Sequence, residues 1–140
     1  MVWPLKHIVR LIKLFDEYAK KFEELGENVP KIFKKVAKKG AIKFVNEAKT
    51  KTKQEGLVDT GYYRDNWTAE AIEPQENVYG VMGQNIAEYA SHLEWGTGRG
   101  IKGRFVGRLS LEETNYYCIQ ELDKEFEKAF TKYHQKFTEE

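Results

Sequence analysis

Cysteine is nearly missing from this sequence. Cys118 stands alone, so no disulfide can close within the chain. A bridge-stapled fold is excluded, and the lone thiol is in keeping with an intracellular origin. No apolar run approaches the length of a bilayer span, so no membrane partner is expected. The first fifteen residues, MVWPLKHIVRLIKLF, are interrupted by Lys6, Arg10 and Lys13 and lack a small-residue cleavage site. They read as helix, not as a secretory signal. Internal repeats and low-complexity tracts are missing too. No serine, threonine or cysteine stands in a recognisable nucleophile motif. His7, His92 and His134 are scattered over three segments. His92-Leu93-Glu94 is spelled like the H-x-E of zinc deaminases, but no P-C-x-x-C follows to complete a zinc site. No metal site, no cofactor and no enzymatic activity are expected.

What remains is a chain of 140 residues with eight Phe, eight Tyr and three Trp, and with 32% charged residues. That length predicts one domain over 1–140, large enough to bury a core unaided. The formal net charge of +1 hides a split. Residues 31–53 hold nine lysines against one acid, Glu47. Residues 99–108 hold Arg99, Lys102, Arg104 and Arg108 with no acid, whereas 109–140 hold eight acids against four lysines. Such asymmetry orients identical subunits head to tail, or faces a polyanion.

Apolar residues at Leu5, Ile8, Ile12, Phe15, Ala19 and Phe22 step by three and four, which predicts an amphipathic helix ending near Gly26 and Pro30. Val29, Phe33, Val36, Gly40, Phe44 and Ala48 predict a second helix, with Pro30 in its first turn. Gly40 mid-helix costs about 1 kcal/mol against Ala, so it points to close helix packing or a kink. Beyond Gly56 the pattern changes. Residues 62–72 and 78–83 read as a hairpin around the turn-like PQEN of 74–77, and 105–109, FVGRL, as a third strand. Residues 86–95 fit either a short helix or a strand. Ser110-Leu-Glu-Glu113 spells a capping box that opens a last helix. The expected fold is α+β: N-terminal helices (1–55) and a C-terminal helix (110–140) packed on a small antiparallel sheet (56–109) that carries a long glycine-rich basic loop.

That loop contains Gly98-Arg99-Gly100-Ile101-Lys102-Gly103, literally G-x-G-x-x-G. A dinucleotide fingerprint needs a strand before it, a helix opening at its third glycine and a βαβ frame. A flexible basic loop fits the surroundings better.

Two stretches carry a resemblance. Residues 57–67 read LVDTGYYRDNW, with Thr60, Gly61, Arg64 and Trp67; residues 89–97 read YASHLEWGT, with Tyr89, Glu94, Trp95, Gly96 and Thr97. In order and spacing they resemble the signatures of a tail-completion, or head–tail joining, family of long-tailed, lambdoid-type bacteriophages. The likeness spans about residues 57–130. Leu57 stands where that family usually has proline, and Arg104-Phe105-Val106-Gly107-Arg108-Leu109 lacks the two prolines of its usual loop exit. The resemblance implies a structural virion protein: a ring subunit, with a hexamer as one ring size, at the head–tail junction. It implies neck, connector and tail-tube neighbours, room for transient contact with packaged DNA, and residence in the host cytoplasm before assembly. Arg64 is expected to pair with Glu94, beside Trp67 and Trp95 as apolar anchors. Glu94, Trp95, Arg99, Lys102, Arg104, Phe105 and Arg108 become the candidate interface, with a loop free to order on a neighbour. The competing expectation is a small nucleic-acid-binding module using Lys31–Lys53 and Arg99–Arg108.

Overall fold

A computed structural model describes the backbone of residues 5–57 and 61–138, and side chains within 16–57 (18 excepted) and 61–132. The fold is α+β. Helix α1 (Leu5–Gln54) is followed by the short α2 (Tyr62–Asp65), strands β1 (Trp67–Gln75) and β2 (Val78–Asn85), the short α3 (Ala90–Trp95) and the long α4 (Val106–Thr138). Thr60, in the first motif, lies outside the described residues.

The expected break at Gly26 and Pro30 does not occur, and α1 runs through both. Proline in a helix removes one hydrogen bond and crowds the carbonyl four residues back. Here that carbonyl belongs to Gly26, where an added Cβ would meet nothing within 4 Å outside the helix's own backbone. From residue 28 onward the helix is also held by α4, which packs against it antiparallel. Lys35 meets Glu125 at 3.0 Å and Lys39 meets Glu121 at 3.2 Å. Lys43 lies 5.6 Å from the centre of the Tyr117 ring. At Gly40 the two helices touch closely. A Cβ there would stand 2.6 Å from Cys118 Sγ and 3.0 Å from a Val81 methyl. Close packing is therefore the reason for a mid-helix glycine.

The sheet has two strands, not three. Trp67 pairs with Asn85, Ala69 with Gly83 and Ala71 with Val81, while Thr68, Glu70, Met82 and Gln84 alternate onto an exposed face. The predicted third strand, 105–109, is instead the N-terminal end of α4, which starts at Val106, four residues before the expected cap at Ser110. The first strand also starts later than predicted, because residues 62–65 make a helical turn led by Gly61 at φ 85°.

One core binds these elements. Phe44 and Ala48 of α1, Tyr63 of α2, Trp67 of β1, Ala87, and Val106 of α4 are buried together. The Trp67 ring meets Phe44 and Tyr63 edge-on, at 5.8 and 5.4 Å between centroids. Burying one such ring contributes about 1.5–3 kcal/mol. A second aromatic group, Phe33 against Tyr79 at 5.7 Å and Phe126 at 5.8 Å, closes the α1–β2–α4 layer farther along.

Candidate interface around Trp95 and the basic loop

The candidate site starts where β2 ends. Asn85 donates its amide to the Tyr63 carbonyl (2.7 Å) and accepts the Ala87 N–H (2.9 Å), which turns the chain toward α3. Tyr89 is half exposed, its ring 6.0 Å from that of buried Tyr63. The Tyr63 hydroxyl is buried with no hydrogen-bond partner among the described residues. Burial, and secondarily the nearby charge of Glu94, hold its pKa above the ordinary phenol value.

Glu94 does not pair with Arg64. Arg64 instead reaches its neighbour Asp65 at 2.8 Å and holds that carboxyl below its usual pKa. Glu94 caps α4: one carboxylate oxygen accepts the Gly107 N–H and the other the Arg108 N–H, both at 2.8 Å. A carboxylate is favoured there by the free amides of the first turn and by the helix dipole. The local box expected at Ser110 is thus replaced by a cap from another element. Ser110 is buried within the helix, and its carbonyl accepts the Thr114 hydroxyl.

The loop is tied at its base. The Arg104 N–H donates to the Leu93 carbonyl (2.8 Å), that of Phe105 to the Glu94 carbonyl (3.1 Å), and that of Thr97 to the Ile101 carbonyl (2.9 Å). Gly96 and Lys102 form an isolated antiparallel bridge. Gly96 has φ 83°, and a Cβ on it would strike the Ile101 carbonyl oxygen at 2.5 Å, so this turn demands glycine. The Thr97 hydroxyl faces the Arg99 and Ile101 amides at 3.4 Å, too long for strong bonds. The tip, Gly98–Lys102, is exposed throughout.

The candidate interface residues divide accordingly. Trp95 is no core anchor: it is 67% exposed, its ring edge-on to Phe105 at 5.9 Å. Phe105 takes a left-handed backbone (φ 50°), and the Arg108 guanidinium lies 5.8 Å from its ring centre. Arg108 also pairs with Glu112 at 3.5 Å, and Arg104 with Glu55 at 3.2 Å. Arg99 and Lys102 have no ion-pair partner among the described residues and are exposed. Beside Trp95 opens a groove of about 570 Å³, with Phe44 and Trp67 beneath and Trp95, Leu111 and Arg108 at its mouth.

The glycine pattern precedes a helix, but the amides that a phosphate loop would offer are occupied by Glu94, and the strands before it form an antiparallel hairpin, not a βαβ unit. His92 is exposed on α3, and no metal-holding group of His, Cys, Asp and Glu occurs among the described residues. Sequence reasoning missed Thr52. Its hydroxyl donates to the Ala48 carbonyl (2.7 Å) and accepts the Trp67 indole N–H (3.0 Å).

The model of the HK97-gp10-like family, described as "Bacteriophage HK97-gp10, putative tail-component", matches residues 16–96 of the chain. The match takes in Gly61, Arg64, Trp67, Tyr89, Glu94, Trp95 and Gly96 and stops short of Thr97 and the basic loop residues. No curated protein and no solved structure matches.

Proposed function

Since the chain belongs to the HK97-gp10-like family of bacteriophage tail components, we propose that it is a structural virion protein that completes the head–tail junction as a subunit of a homo-oligomeric ring. Its neighbours are then the neck or connector proteins on one side and the tail tube on the other. Its places are the host cytoplasm during assembly and the virion afterwards. Trp95 carries this reading. A large aromatic ring, exposed beside an apolar groove and fixed on a hydrogen-bonded base, has the chemistry of an interface anchor. Such a patch on one subunit, meeting a different patch on the next, gives a heterologous contact that closes into a ring when the rotation permits. Arg99 and Lys102 at the loop supply steering and register more than affinity.

Intramolecular pairing changes one part of the expectation. Basic 31–53 and acidic 109–140 are not simply opposite surfaces of a subunit. Lys35 and Lys39 meet Glu125 and Glu121 inside it. Charge complementarity between subunits therefore rests on the loop cations and on the acids of α4 that face outward, Glu113, Asp123 and Glu127.

Complementation of a phage lacking this gene tests the role. Trp95→Ala, and separately Arg99→Glu with Lys102→Glu, are expected to leave the circular dichroism spectrum unchanged while unjoined heads and tails accumulate. Normal infectious titre from both folded variants would overturn the assignment of this surface to joining.

A further inference from the structure

The nine lysines of 31–53 divide into two sets once α1 is packed. Lys35, Lys39, Lys43 and Lys51 reach carboxylates: Glu125, Glu121, Glu47 and Glu47 again. Lys31, Lys34, Lys38, Lys49 and Lys53 have no ion-pair partner among the described residues. On a projection at 100° per residue these five fall within an arc of roughly 100°. They lie away from the buried stripe of Val36, Gly40, Phe44 and Ala48. Ile42, 65% exposed, shares the arc, Lys35 stands at one edge of it and buried Thr52 at the other, and no acid of 31–53 falls on it. Asp65 feels Lys49 and Lys53, but its hydrogen bonds go to Arg64.

We infer that this outward row of α1 is a binding face for the phosphate backbone of double-stranded DNA. Its extent selects the ligand. At 1.5 Å per residue the row runs for about 33 Å, and its two groups, 31–38 and 49–53, are centred about 25 Å apart. No single phosphate or nucleotide spans that distance, whereas a duplex places a charge every ~1.7 Å along its axis. Lysine ammonium groups on flexible stems follow such a backbone without reading bases, so the contact is independent of sequence. The loop cations take no part. Arg104 and Arg108 are already paired with Glu55 and Glu112, and Arg99 and Lys102 belong to the protein-facing surface. Only the identity of the ligand as packaged phage DNA rests on the assembly role proposed above.

Fluorescence anisotropy with a short labelled duplex of arbitrary sequence, titrated with the intact protein between about 50 and 200 mM salt, tests the assignment. Wild type is expected to bind in the range of about 10⁻⁴–10⁻⁶ M, with affinity falling steeply as salt rises. Lys31→Gln with Lys34→Gln and Lys38→Gln is expected to reduce the slope of log K against log salt by about 2–3. Glutamine keeps the helix propensity close to that of lysine, and circular dichroism checks the fold. Arg99→Gln with Lys102→Gln is expected to leave the slope unchanged. No binding at the lowest salt, or a slope that responds to the loop pair and not to the row, would overturn the inference. Either result leaves the head–tail joining test untouched, since that test reads assembly and this one reads free duplex.

Discussion

Across the seam between α1 and β1, Trp67 donates its indole N–H to the hydroxyl of Thr52 at 3.0 Å, and both residues are buried. The same hydroxyl donates to the Ala48 carbonyl, so one oxygen satisfies the helix and the strand together. Replacing Thr52 by Val keeps the shape and strands the indole N–H. Leaving a buried donor unpaired costs about 1–3 kcal/mol. Urea denaturation of Thr52→Val is expected to show a loss in that range, and Thr52→Ser to recover most of it.

At Gly40 the helix-propensity rule and the packing predict opposite signs. Alanine is the better helix former by about 1 kcal/mol. Its Cβ would stand 2.6 Å from Cys118 Sγ, however, and overpacking costs about 1–3 kcal/mol. Gly40→Ala is expected to destabilise, and Cys118→Ala in the same chain to restore stability. Thermal unfolding of the two single variants and the double variant measures the coupling, and additive effects would place the strain elsewhere.

The α1–α4 ion pairs fix a pH dependence. Hydrogen bonds from Lys39 and Lys35 hold the Glu121 and Glu125 carboxyls below the ordinary glutamate pKa. A depressed folded-state pKa means that the fold favours the charged form. Its contribution is complete above the unfolded value and disappears as pH falls through the lower, folded one. Stability is therefore expected to decline on acidification, starting near the ordinary glutamate range and continuing beneath it. Glu121→Gln with Glu125→Gln should flatten that limb in a series of denaturant melts taken at decreasing pH.

Hydrogen exchange should divide the basic loop in two. The amides of Gly96, Thr97, Arg104 and Phe105 all have backbone acceptors within 3.1 Å. They are expected to exchange more slowly than those of Gly98 and Gly100 at the exposed tip. Uniformly fast exchange from 96 to 105 would show that the bridge at the base is not formed in the free subunit.

Much of the architecture was readable beforehand, where one element alone decided it. The stripe of Phe33, Val36, Gly40, Phe44 and Ala48 faces the core or the sheet as its spacing requires, and the hairpin turns at 76–77 close to the PQEN signal. Two of the failures share a cause: each depends on a partner distant in sequence. Pro30 reads as a boundary in the sequence because nothing local shows α4 beside the helix. Ser110 reads as a cap because nothing local says that Glu94, 13 residues before Gly107, already occupies the first-turn amides. Arg64 is a different case: its partner is the adjacent Asp65, not Glu94. In the candidate site, the aromatic and cationic composition of 95–108 was legible. Which of those side chains were already engaged within the subunit was not, since that depends on Glu55 and Glu112 approaching from other turns.

The contact between Gly40 and Cys118 has a further use. The thiol is the only one in the sequence, and it is held against α1 with no Cβ between them. Burial, together with the charge of Glu121, pushes its pKa up, so little reactive thiolate is present near neutrality. The sulfur therefore acts as a built-in chemical clock for the helix seam. Cys118 is partly exposed and lines the groove beside the seam, so an alkylating reagent reaches it at a rate sensitive to how closely α4 sits on α1, and that rate needs no engineered probe to be read. A subunit whose long helices shift against each other on entering an assembly would change the pace of that clock. One whose helices stay locked would keep the same pace in solution and in the assembled particle.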